Sequence, residues 1–82
     1  MKRILDFSAA WCGPCQTLGP IMDSLKGKIN FQKIDVDNNQ DFSIQDGVRH
    51  IPTLILLDEY GEVKGRKLGL QTKQDILNFY NG

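Results

Sequence analysis

Residues 3–15 read Arg3-Ile4-Leu5-Asp6-Phe7-Ser8-Ala9-Ala10-Trp11-Cys12-Gly13-Pro14-Cys15, and this stretch decides the fold. Its first half, Arg3–Ser8, carries apolar residues at Ile4, Leu5 and Phe7, so both faces of the segment are greasy. That is the signature of an interior strand in a sheet covered by helices. Its second half places two thiols three residues apart at the start of a helix. Leu18, Ile21, Met22 and Leu25 recur at i, i+3, i+4 and i+7, which predicts a helix over 14–26. Gly27 ends it, and Pro20, lacking an N–H, is expected to kink it.

Outward from this unit the chain stays periodic. A second strand is expected over 29–36, then a short helix over 40–46, capped by Asp37, Asn38 or Asn39 and closed by Gly47. Thr53–Leu57 is continuously apolar and suits a central strand. Tyr60-Gly61 is a turn signal, and 62–68 forms the other arm of a hairpin, broken by Gly69. Thr72 with Asp75 reads as a capping box for a last helix that offers Ile76, Leu77 and Tyr80 to the core. The order is β-α-β-α-β-β-α. It predicts an α/β protein with a four-stranded mixed sheet, a parallel β-α-β unit, an antiparallel hairpin and three helices on both faces.

Composition narrows the function. The 82 residues suit one small domain, 1–82, and 40% hydrophobic content suits a packed core. Ten Lys and Arg balance ten Asp and Glu, so there is no electrostatic case for nucleic acid or an anionic membrane as partner. The apolar run 54–57 falls far short of the roughly 20 residues needed to span a bilayer. Asp6 interrupts any signal-peptide h-region at the N-terminus, which points to a cytoplasmic location.

Cys12 and Cys15 are the only cysteines. A bridge between such close neighbours constrains little of the unfolded chain, so a structural role is disfavoured. Cys12 falls at a helix N-terminus, where free N–H groups and the helix dipole stabilise a thiolate, the attacking species. Cys15 sits one turn inside, expected to be the more buried, and within reach to close a disulfide after a mixed disulfide has formed. Pro14 suits an early helical position, and Gly13 leaves the approach to Cys12 uncrowded. Metal binding is the main competing reading. Structural zinc wants four ligands, and two thiols with one histidine do not supply them. A metal shared across a dimer stays open.

Asp6 lies in an apolar strand, where burial favours its protonated form. It is a candidate proton acceptor for Cys15, against the simpler reading of an outward-facing acid. Lys33 shares parity with Ile29 and Phe31, which points it inward as a partner for Asp6. The competing reading is a lysine snorkelling to the surface. The isomer of the Ile51–Pro52 bond cannot be read from residues alone, since cis is the minority form. His50, the single histidine, reads on its own as a surface residue.

The segment Asp6-Phe7-Ser8-Ala9-Ala10-Trp11-Cys12-Gly13-Pro14-Cys15 resembles the active-site segment of the thioredoxin family. The resemblance continues through Pro20, Lys33-Ile34-Asp35-Val36-Asp37, Val48-Arg49-His50-Ile51-Pro52-Thr53, Gly61-Glu62-Val63 and Gly69. It implies a minimal thioredoxin fold and a protein-disulfide reductase. Cys12 would be the nucleophile and Cys15 the resolving cysteine. Asp6 would be the buried acid, with Lys33 its neighbour. Pro52 would be a cis-proline against the disulfide, and Ile51 would offer backbone hydrogen bonds to a substrate strand. Trp11, Gly13, Pro14, Ile51, Pro52 and Gly69 would rim the docking surface. The implied partners are disulfide-containing client proteins and a thioredoxin reductase as electron donor. The implied state is a monomer without an organic cofactor. A disulfide oxidase or isomerase, or a thioredoxin-fold binding module, is the alternative.

Three departures stand out. The family's N-terminal strand and helix have no counterpart in residues 1–82. Ser8 replaces a tryptophan frequent in bacterial members. His50 stands where glycine or threonine is frequent, and an imidazole there would titrate near neutral pH beside the thiols.

Overall fold

A computed structural model describes residues 1–39 and 50–82. The helix expected over 40–46 and its closing Gly47 lie outside the described residues. Four strands form one mixed sheet: β1 (Arg3–Ser8), β2 (Phe31–Asp35), β3 (Thr53–Leu57) and β4 (Val63–Leu68), in the order β2-β1-β3-β4. β1 pairs parallel with β2 and antiparallel with β3, and β4 runs antiparallel along β3. The two strands predicted to be apolar on both faces are therefore the two central ones.

The first helix, α1, spans Gly13–Asp23, shorter than expected. Beyond it the backbone switches to tighter bonds: Leu25 N–H donates to Met22 O (2.9 Å) and Lys26 N–H to Asp23 O (3.3 Å). The Ser24 hydroxyl donates to Ile21 O (2.6 Å), competing for a carbonyl near the helix end. The apolar period carried the expectation past Asp23 because Leu25 stays buried in this turn. The second helix, α2, spans Lys73–Asn81, and the Thr72 hydroxyl caps it by accepting from Asp75 N–H (3.1 Å).

Pleating sorts the core into two clusters. Ile4, Leu54 and Leu56 meet Leu18 and Met22 of α1 and Ile76 of α2. Leu5, Phe7, Ile34, Ile55 and Leu57 occupy the other face. Both described helices thus share one face, and the third expected helix lies outside the described residues. α2 lies close over β4: a Cβ at Gly65 would stand 2.9 Å from Cε1 of Phe79. The hairpin between β3 and β4 is tied by Asp58, whose Oδ1 accepts from Tyr60 N–H (2.8 Å) and Glu62 N–H (3.0 Å). These bonds hold the Asp58 carboxyl below its ordinary value, that from Glu62 most strongly. Among the described residues no helix is long and apolar enough to cross a membrane.

Candidate active site

The site forms where β1 hands over to α1. Cys12 is the helix N-cap, in extended backbone (φ −90°, ψ 116°), and its Sγ accepts from Cys15 N–H at 3.2 Å. An N-cap atom faces otherwise unpaired helical N–H groups, so negative charge on this sulfur is favoured by geometry. Gly13 opens the helix, with Pro14 immediately after it in the first turn. A Cβ on Gly13 would meet only open space, so the approach to the thiols is clear.

Cys12 and Cys15 form a disulfide, with Cα atoms 5.2 Å apart. They are 6% and 7% exposed, so the expected contrast in burial is absent. In the bridged state the Cys12 side chain lies over the first helical turn, its Sγ accepting from Cys15 N–H, and both cysteines share one apolar surround. That surround is Ala9, with Val36 and Ile51 packed against it. Among the described residues, no group of three or more Cys, His, Asp or Glu side chains is placed to hold a metal ion.

The second wall comes from the start of β3. The Ile51–Pro52 bond is cis, the isomer that the resemblance implies. Pro52 is buried, and its carbonyl accepts from Gly69 N–H at 2.8 Å. Gly69 has φ +81°, a left-handed conformation that only glycine adopts freely, and so turns the chain back toward the proline. The Thr53 hydroxyl donates to the His50 carbonyl, while the His50 side chain is exposed.

Trp11 is 69% exposed, yet its position is fixed. Its indole Nε1–H donates to Asp37 Oδ2 at 2.9 Å. Asp37 is itself set by Asp35, whose Oδ1 accepts from Asp37 N–H at 2.9 Å. Gln16 Nε2 donates to Ala10 O (2.8 Å) and stiffens the same loop. Reading the residues in order did not single out Asp37 or Gln16 as site residues. The Asp37 contact spans 26 positions, and no local signal could announce it.

Asp6 is 2% exposed, and its Oδ1 is buried with no hydrogen-bond partner among the described residues. The outward-facing reading is thereby excluded. Burial pushes its pKa from 3.8 up to about 6; Lys33 pulls it down and Asp23 pushes it up. Asp6 and Cys15 line one cleft of about 240 Å³, together with Gln16, Gly19, Lys33 and Asp35. Lys33 stands opposite Asp6 in the β1–β2 register, as strand parity required. Its ammonium, however, bonds Asp23 Oδ1 at 2.7 Å and not Asp6, and the side chain is 42% exposed. Among the described residues β2 lies at the edge of the sheet, so a long flexible side chain there reaches the sheet rim and the end of α1.

A family model for thioredoxin matches residues 1–81. The chain belongs to the thioredoxin family. A thioredoxin from Rickettsia felis is 43% identical over an alignment covering 95% of this chain and 77% of that relative. A thioredoxin from Haemophilus influenzae is also 43% identical, over 95% of this chain and 76% of its own. Among solved structures, a mutant thioredoxin from Halobacterium salinarum superposes with a TM-score of 0.92 at 38% identity. That match covers 98% of this chain and 72% of the other. With these thioredoxin relatives and the Cys12–Cys15 bridge, the chain is a thiol–disulfide oxidoreductase of the disulfide-reductase type.

Proposed function

We propose that residues 1–82 act as a single monomeric cytoplasmic domain that reduces client disulfides, with Cys12 as the nucleophile and Cys15 as the resolving cysteine. The Cys12 thiolate attacks one sulfur of the client disulfide. A mixed disulfide forms, and the client's other sulfur leaves as a thiolate and takes a proton. Asp6 accepts the Cys15 proton, and the Cys15 thiolate attacks Cys12 Sγ. The client's second sulfur is released as a thiolate and takes the proton held by Asp6, and the Cys12–Cys15 disulfide remains. The client has gained two electrons and two protons, one proton from solvent and one from Cys15 by way of Asp6, and a thioredoxin reductase returns the pair to the dithiol. Trp11, Gly13, Pro14, Ile51, Pro52 and Gly69 form the docking rim, with the client strand held along the Ile51 backbone. Lys33 borders the proton path. Candidate clients are ribonucleotide-reducing and peroxide-reducing enzymes.

The carrying observation is the placement of the Cys12 sulfur at the N-cap of α1, with Cys15 and the unpartnered buried Asp6 lining one cleft behind it. Reduction of insulin disulfides by the dithiol form tests the reading. Cys12→Ser is expected to abolish reduction. Cys15→Ser is expected to retain the first attack and accumulate a mixed disulfide. A reduction midpoint near thioredoxin's reference value of roughly −270 mV supports the reducing direction. A midpoint at or above about −180 mV would overturn it in favour of an oxidase or isomerase.

A further inference from the structure

A buried carboxylate one strand away from a lysine has an obvious partner, and this protein does not use it. Asp6 and Lys33 are directly paired across β1 and β2, on neighbouring strands about 4.8 Å apart. Both line the cleft that reaches Cys15. Yet the Lys33 ammonium bonds Asp23, at 2.7 Å, and Asp6 Oδ1 is left with no hydrogen bond among the described residues.

Asp23 is poorly placed on local grounds. It is the last residue of α1, where the helix dipole disfavours a carboxylate, and no basic residue offsets it in that turn. Helix electrostatics therefore gives no reason for an acid here, whereas the bond to Lys33 does. That bond is half-exposed and so worth little to stability. Its consequence lies in where it puts the charge.

We propose that Asp23 is a positioning residue for the redox site: by holding the Lys33 ammonium at the outer rim of the cleft, it keeps Lys33 from closing a direct ion pair with Asp6. The effect is to preserve a carboxyl that carries its proton nearer to neutrality than an ion-paired one. The catalytic consequence rests on the reading of Asp6 as proton acceptor for Cys15. Among the described residues the charged and titratable groups around Asp6 are few. β2 contributes Lys33 and Asp35, and α1 contributes Cys15 and Asp23. From β3, Leu54 stands opposite Asp6 and carries no charge. Asp35 is the other acid on the cleft, and its oxygens already accept from Asp37 N–H and Asn38 Nδ2, whereas Asp6 Oδ1 accepts from no described residue. A released Lys33 would turn to Asp6.

The test is the titration of the Asp6 carboxyl, followed by carbon NMR in the oxidised protein and assigned by its loss in Asp6→Asn. Asp23→Asn is expected to lower the Asp6 midpoint by about one pH unit, as an opposite charge moves close. Lys33→Met is expected to raise it. In the Lys33→Met background, Asp23→Asn is expected to lose most of its effect, as a double-mutant cycle of a coupled pair requires. An unmoved midpoint in Asp23→Asn overturns the proposal. So does a shift of equal size with and without Lys33, which would mean that Asp23 acts only by its own field. The pH profile of disulfide exchange is read separately. If the Asp6 midpoint moves and the exchange profile does not, Asp23 positions Lys33 as proposed, and the acceptor role of Asp6 is what fails.

Discussion

Replacing Asp6 by Asn should make the protein more stable at pH 8 and leave it unchanged near pH 3. Asparagine is nearly isosteric with the Asp6 carboxyl and removes its charge, exchanging one oxygen for an amide NH2. The native carboxyl has its pKa raised from 3.8 to about 6, chiefly by burial. The native state therefore holds the proton more tightly than the unfolded chain. Its advantage is fully present below 3.8 and is lost as pH rises through about 6. At about 1.4 kcal/mol per pH unit, that interval costs the native protein about 3 kcal/mol once both states are ionised. Asp58, whose pKa is lowered, works in the opposite sense: its contribution is present above the unfolded value and lost as pH falls. It is common to both proteins and cancels in the difference. Urea unfolding of the oxidised forms is the assay. With a slope of about 1 kcal/mol per molar, the Asp6→Asn midpoint should rise by about 3 M at pH 8 and converge with wild type at low pH. Equal midpoints at pH 8, or a gap that does not change with pH, would refute the charge-burial reasoning.

Ile76 is the fully buried anchor of α2 against Ile4 and Leu54, so Ile76→Ala should cost about 2–5 kcal/mol in urea unfolding. A loss under about 1 kcal/mol would mean that α2 is not part of the core. Gly69→Ala forces a side chain into φ +81° and should cost about 1–2 kcal/mol. Its Cβ meets open space, so the cost is purely conformational, and insulin reduction should slow as the Gly69–Pro52 contact loosens. A neutral effect on both readouts would show that this turn adapts freely.

What could be read from the chain was whatever depends on neighbours in sequence. The apolar character of Arg3–Ser8 and Thr53–Leu57 placed both at the centre of the sheet, because residue alternation and pleating share a period of two. Thr72, three residues before Asp75, capped α2 where expected, since capping is a local bond. The Cys12–Cys15 spacing at a strand-to-helix junction located the chemistry, because one helical turn brings i and i+3 together. The length of α1 was overestimated for the same reason: hydrophobic period registers burial, and Leu25 is buried without being helical.

The remaining features join residues far apart in the chain, and only the assembled sheet decides them. Trp11 finds Asp37, Gly69 finds Pro52, and both described helices settle on one face. Lys33 has the parity expected of Asp6's partner, yet its ammonium goes to Asp23, because β2 lies at the edge of the described sheet and α1 ends beside it. The sequence by itself determined which residues carry the redox chemistry and on which elements they stand. The tertiary structure decided the electrostatic surroundings in which Asp6 titrates. Charge interactions act through space, and separation along the chain says nothing of which groups will meet.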